Sequence, residues 1–154
     1  MGTLLKSGGI FLILFAILTA CQQPEDKFIG TWEYHDYKVK DEGVGSLQDL
    51  IPGDWKEKVN SWVEKGEGLA NSTITFAPDG TYEEEFKNGP DKIVTIRGQF
   101  SVMQDLSQIN LKTTDDETVM PIVNVNDTSF TYKKEYGKFD VPFTVEITYK
   151  RIPR

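Results

Sequence analysis

The chain has 154 residues, with 17 basic and 24 acidic side chains, one histidine and a formal net charge of −7. That acidic balance excludes nucleic acid and anionic lipid surfaces as main partners, since both reward Lys and Arg. With one cysteine and one histidine there is no disulfide framework, no thiolate metal cluster and no histidine-rich metal site.

The first twenty residues differ in kind from the rest. Lys6 follows a short polar start, and Ile10 to Leu18 is unbroken apolar sequence. Such a run is too short to span a bilayer comfortably, which takes roughly 20 apolar residues. A basic start, an apolar stretch and a small-residue exit are the layout of a secretory signal. The exit reads Leu18-Thr19-Ala20-Cys21 and resembles the lipobox of bacterial lipoproteins in all four positions. The resemblance implies a signal peptide over 1–20, cleavage before Cys21, a diacylglycerol on its sulfur and acylation of the new amino terminus. Several chains on one residue make anchoring stable, where one chain gives only marginal binding. The alternatives are a buried thiol or an uncleaved membrane helix. Cleavage would remove only the charge of Lys6, leaving 134 residues with 16 basic and 24 acidic side chains, a net of about −8.

Residues 21–27 read as a polar, lipidated tether with nothing to pack. Glu25-Asp26 resembles the acidic surface-export signal of some bacterial lineages, beside the plainer reading of a solvated linker. Gln22 is not the Asp that retains many enterobacterial lipoproteins at the inner membrane, so the resemblance implies a cell-envelope location at the outer membrane.

From Phe28 the dominant period is two, with Val, Ile, Thr, Phe and Tyr alternating against polar residues between turn signals. Strands are predicted over 28–39, 71–77, 80–88, 92–103, 107–113, 117–125, 128–136 and 141–151. The hairpin signals are Ala77-Pro78-Asp79-Gly80, Asn88-Gly89-Pro90-Asp91 and Asn124-Val125-Asn126-Asp127. One segment breaks the pattern. Over 54–65, Trp55, Val59, Trp62 and Val63 recur at helical spacing among charged residues, with a capping box at Asp54 and Glu57 and Gly66 as terminator. Ser46 to Leu50 reads as a further helical turn. Eight sequential antiparallel strands solve their edge problem by closure. The expected fold of residues 28–154 is therefore all-β: an eight-stranded antiparallel up-and-down barrel with a helical insert after the first strand. A two-sheet sandwich is the runner-up.

The first strand carries Phe28-Ile29-Gly30-Thr31-Trp32, which resembles the Gly-x-Trp signature that opens the lipocalins and fatty-acid-binding proteins. The last strand supplies Arg151. The resemblance implies that Gly30 lets the strand bend at the closed end, Trp32 plugs the barrel and Arg151 packs across its ring. Thr75 to Tyr82 is similar to a hairpin of lipocalin-like bacterial lipoproteins, and the helical insert is similar to the mouth cover of fatty-acid-binding proteins. Two departures stand against these matches. The Arg-x-Tyr spacing that holds a carboxylate reads Ile147-Thr148-Tyr149 here, and the helix that follows the barrel in many lipocalins is absent before Arg154.

Chemistry-bearing residues are few. His35 falls on the outward parity beside Glu33, and no phosphate-cradling glycine loop or serine elbow is present. Asp115-Asp116-Glu117 reads as a charged hairpin tip, with calcium as the alternative. Glu83-Glu84-Glu85 is more informative, because successive strand residues face opposite ways. If Tyr82 and Phe86 point inward, Glu84 does too, and the same parity joins Phe130, Tyr132, Lys134 and Tyr136. A rim position or a bulge would cancel either assignment. The expected lining is Tyr34, Tyr82, Glu84, Tyr132, Lys134 and Tyr149, beside Phe86, Phe100, Val145 and Ile147. The expected function is a membrane-anchored, non-enzymatic barrel that binds a small, partly apolar ligand without cofactor or metal, under a helical lid. The alternative is a protein-interaction module with a filled barrel.

Overall fold

The computed structural model describes residues 23–40, 57, 61, 71–88, 92–136 and 143–153. The expected signal segment, Cys21, the 46–50 turn, the Gly89–Asp91 part of one hairpin signal and nearly all of the 54–65 helix lie outside the described residues. That includes Trp55, Val59, Trp62 and Val63. Glu57 and Ser61 are described, and both are helical.

Eight strands follow one another as alternation predicts: β1 (Gly30–Lys40), β2 (Thr73–Phe76), β3 (Thr81–Lys87), β4 (Ile93–Val102), β5 (Gln108–Lys112), β6 (Glu117–Val125), β7 (Ser129–Tyr136) and β8 (Phe143–Arg151). Each pairs antiparallel with the next, and β8 pairs with β1, so the sheet closes as an up-and-down barrel. The sandwich reading is thereby excluded. β8 shows why the residues choose this element. Val145, Ile147 and Tyr149 are buried inside, while Thr144, Glu146 and Thr148 alternate with them on the outer side.

Turn chemistry fixes the connections. Pro78 starts the β2–β3 turn, Gly80 takes the left-handed conformation at φ +81, and the Ala77 amide bonds the Thr81 carbonyl at 2.8 Å. The Asp79 carboxylate accepts from both the Thr81 amide and the Thr81 hydroxyl, at 3.0 and 2.6 Å. The β6–β7 turn falls where the predicted strand ends put it, after Val125. Asn124 and Val125 still belong to β6, and Asn126 Oδ1 accepts the Thr128 and Ser129 amides, both at 2.9 Å.

Two bulges depart from strict alternation. On β1 the register to β8 steps from Tyr34↔Tyr149 to Asp36↔Thr148, so His35 is an extra residue. Inward parity passes from Trp32 and Tyr34 to Tyr37 and Val39, all of them core or packed on it. On β6 the step from Ile122↔Tyr132 to Asn124↔Thr131 leaves Val123 extra and exposed.

The tether reading is corrected for residues 23–27. Pro24–Lys27 is a 3-10 turn packed against the end of β4, with the Glu25 carboxylate accepting the Val102 amide at 3.2 Å. Gln23 and Asp26 bond each other across the turn. Four polar residues with Pro24 thus satisfy one another and a strand end, and solvation alone does not describe them.

Candidate functional site

The barrel interior has two halves. At the end where β1 begins and β8 finishes, aromatic rings fill it. Phe28 meets Phe130 edge-on at 5.6 Å, Trp32 meets Phe130 at 5.0 Å, Phe76 and Phe100 lie 4.8 Å apart, and Tyr149 stacks on Phe130 at 5.3 Å. Trp32 is fully buried, and its indole N–H donates to the Phe28 carbonyl at 2.6 Å. The Arg151 guanidinium lies 4.0 Å from the centre of the Trp32 rings. It also donates to the carbonyls of Asp127 at 2.8 Å, Lys27 at 2.7 Å and Ile29. Gly30 makes this possible. It has φ +133, and a Cβ there would lie 2.7 Å from an Arg151 nitrogen.

The other half, among the described residues, is not filled in this way. A cavity of about 610 Å³ lies there, lined by Glu84 and Phe86 of β3, Ile96 of β4 and Leu111 of β5. Residues 118–121 of β6 and 132–135 of β7 complete it, with Ile74 and Tyr149 at its base. Parity sorts the three consecutive glutamates. Glu83 faces out and bonds Arg97 on β4, Glu85 is exposed, and Glu84 lies between inward Tyr82 and Phe86. Glu84 and Lys134 are half-buried, Tyr132 and Tyr149 buried. The Tyr149 hydroxyl shares a 3.0 Å hydrogen bond with Ser72, itself buried. Four polar residues therefore face one space among apolar neighbours.

Of the six lining residues predicted from sequence, Glu84, Tyr132, Lys134 and Tyr149 meet on this cavity. Tyr34 and Tyr82 do not. Tyr34 packs edge-on to Tyr149 at 6.4 Å, and Tyr82 is buried lower in the barrel, opposite Phe76 and Gly98. Burial, and after it the carboxylates of Glu84 and Asp116, push the Tyr82 phenol above its ordinary value. Among the apolar neighbours, Phe86 lines the cavity, whereas Phe100, Val145 and Ile147 belong to the packed core. The β5–β6 wall, with Leu111 and Met120, was not named from sequence, although its alternation carries the same signal.

The remaining candidates resolve simply. His35 is exposed on the β1 bulge. Asp115 and Asp116 form an exposed turn in which Thr113 Oγ1 accepts both their amides, at 3.3 and 3.0 Å. Among the described residues no group of three or more His, Cys, Asp or Glu is placed to hold a metal ion.

No protein-family model matches the chain, and no curated protein matches it. Among solved structures, the chain is similar to a DUF4847 family protein from Bacteroides vulgatus at 16% identity, with a TM-score of 0.48, over 84% of this chain and 98% of that one. It is similar at 10% identity and a TM-score of 0.47 to bovine odorant-binding protein complexed with its natural ligand, over 83% and 73% of the two chains. The complex of the bovine protein with undecanal aligns at 11% identity and a TM-score of 0.48, over 88% and 77%.

Proposed function

We propose that this chain is a lipid-anchored, non-enzymatic binding barrel that holds a small, partly apolar molecule in the half of its barrel that the aromatic rings do not fill. The observation that carries the reading is the cavity of about 610 Å³, in which Glu84, Lys134 and two phenols face one space walled by Phe86, Ile96, Leu111 and Met120. Its volume falls within the range of roughly 300–1,000 Å³ typical of small-molecule sites, which set a few polar groups among many apolar ones. Apolar contacts hold the body of the ligand, and the carboxylate, the ammonium and the phenols orient its polar group. Native mass spectrometry of the gently purified protein tests the reading directly, with a retained small molecule as the expected result. Glu84→Gln and Lys134→Met should each change retention while melting stays cooperative. Retention identical to wild type in both variants would move the working surface to the outside of the barrel, as a protein-interaction module.

Cys21 is the lipid attachment point in this reading, and Cys21→Ala should leave unprocessed or soluble material. Wild-type maturation and membrane fractionation of that variant would refute it. The 3-10 turn gives the anchor a geometry. Gln23 is tied to the closed end, and two residues of chain reach at most about 7 Å from there to Cys21. On this reading the aromatic plug faces the membrane, and the half of the barrel that holds the cavity faces away from it.

A further inference from the structure

We infer that the closed end of the barrel docks on the bilayer by seating a zwitterionic phospholipid, its head in a polar pocket and an acyl chain in an apolar groove. The inference rests on the anchored reading above and is independent of the ligand cavity.

Reach comes first. Gln23 borders the polar pocket at the closed end, and two residues of chain from there to Cys21 span at most about 7 Å. The head-group layer on each side of a bilayer is about 5–7 Å thick, half the difference between roughly 40–45 Å overall and about 30 Å of hydrocarbon. A tether that short holds the closed end among the head groups, so its surface chemistry meets lipid rather than bulk water.

This end carries two hollows that share Arg151 as a wall. The polar one, of about 270 Å³, is bordered by Asp26 and Lys27 of the 3-10 turn, Leu106 of the β4–β5 turn and Asp127 of the β6–β7 turn. Lys27 and Asp127 face each other there at 3.4 Å, 45% and 88% exposed. An ion pair so open contributes little and exchanges partners readily. A phosphate beside Lys27 and an ammonium between Asp26 and Asp127 reproduce the same alternation of charge. The apolar hollow, of about 440 Å³, runs from Pro78 across Ile29 to Ile152 and Pro153.

Parity and turn chemistry show how the apolar surface arises. Ile152 follows Arg151, which lies over the Trp32 ring, and the Ile152 amide donates to the Thr31 carbonyl at 2.9 Å. Its side chain therefore takes the outward position that exposed Lys150 takes two residues earlier. A strand facing only water would carry another polar residue there. The β4–β5 turn repeats the pattern. Met103 is 44% exposed, and Leu106 holds φ +58, a left-handed conformation that suits Gly or Asn better than leucine.

Charge selects the head group. Among the described residues, Glu25, Asp26, Asp79, Asp105 and Asp127 gather at this end with Lys27 and Lys150, while Arg151 is turned to Trp32 and three carbonyls. Hydrogen bonds from Thr81 and Ser107 hold the Asp79 and Asp105 carboxyls below their ordinary range, so both stay charged. This balance repels an anionic lipid and accepts a head that brings its own ammonium.

The test reads contact at the closed end. With Cys21 lipidated, Met103→Cys and Lys87→Cys each give the mature protein one thiol for a nitrobenzoxadiazole label, the first at the closed end and the second at the far end. In vesicles of phosphatidylethanolamine and phosphatidylcholine, the label at 103 should shift to the blue and be quenched by a 5-doxyl phospholipid, and the label at 87 should do neither. Pro78→Asp with Pro153→Asp, both exposed positions, should abolish the shift and the quenching while flotation with vesicles and melting stay as in wild type. Phosphatidylglycerol in place of phosphatidylethanolamine should abolish them too. Quenching that survives the double variant, or equals wild type on the anionic vesicles, would overturn the lipid seat while the anchor stands. A protein that does not float with vesicles would overturn the anchor and the seat together.

Discussion

Arg151 does several jobs at once, and no other side chain can replace it. Its planar fork reaches three backbone carbonyls while its face covers Trp32. Lysine has neither the fork nor the flat face. Arg151→Lys should therefore lower stability by about 1–3 kcal/mol, through carbonyls left without their donors, as read by the urea midpoint. Trp32→Ala removes a fully packed indole and should cost about 3–5 kcal/mol; a melting curve like that of wild type would deny the plug its structural role. Tyr82 adds a pH dependence. Its phenol titrates higher in the fold than in the unfolded chain, so the folded state keeps a proton that the unfolded state gives up. That contribution is whole below pH about 10 and fades as pH rises through the folded value. Tyr82→Phe should flatten the alkaline fall in melting temperature. At this scale parity was a good guide near ordinary strands. Glu84 between Tyr82 and Phe86, and Lys134 after Tyr132, could be placed inward from sequence alone.

Among the elements, the β2–β3 hairpin best shows local sequence deciding structure. Pro78, Asp79 and Gly80 each occupy the turn position their chemistry favours, and Gly80 alone bears the positive φ. Gly80→Val should cost about 1–2 kcal/mol for the left-handed backbone, and the loss should appear equally in thermal and denaturant unfolding. Strand existence and order were legible because alternation runs almost the whole length of the domain. The bulges were not. An extra residue at His35 or Val123 has no compositional mark, yet each reverses the facing of everything beyond it. The 3-10 turn over Pro24–Lys27 escaped for another reason. Its stability comes from partners far along the chain, at Val102 and Arg151, which a local reading of polar residues does not see.

For the whole molecule the decisive feature is the seam. Its ladder runs from Trp32↔Arg151 to Lys40↔Thr144, and Arg151 binds the carbonyl of Ile29 across 122 residues of sequence. Every other strand finds its neighbour within the next stretch of chain. The first strand must wait for the last. Barrels governed by such distant pairings complete folding on a scale of roughly milliseconds to seconds, slower than assemblies of local contacts. Until β8 arrives, β1 and the newest strand both remain open edges, able to pair with whatever strand comes near. A chain ending at residue 142 should accordingly show no cooperative melt, even though seven of its eight strands are present. Synthesis order thus acts as a timer: the C-terminal dozen residues decide when a threadable polypeptide becomes a closed barrel.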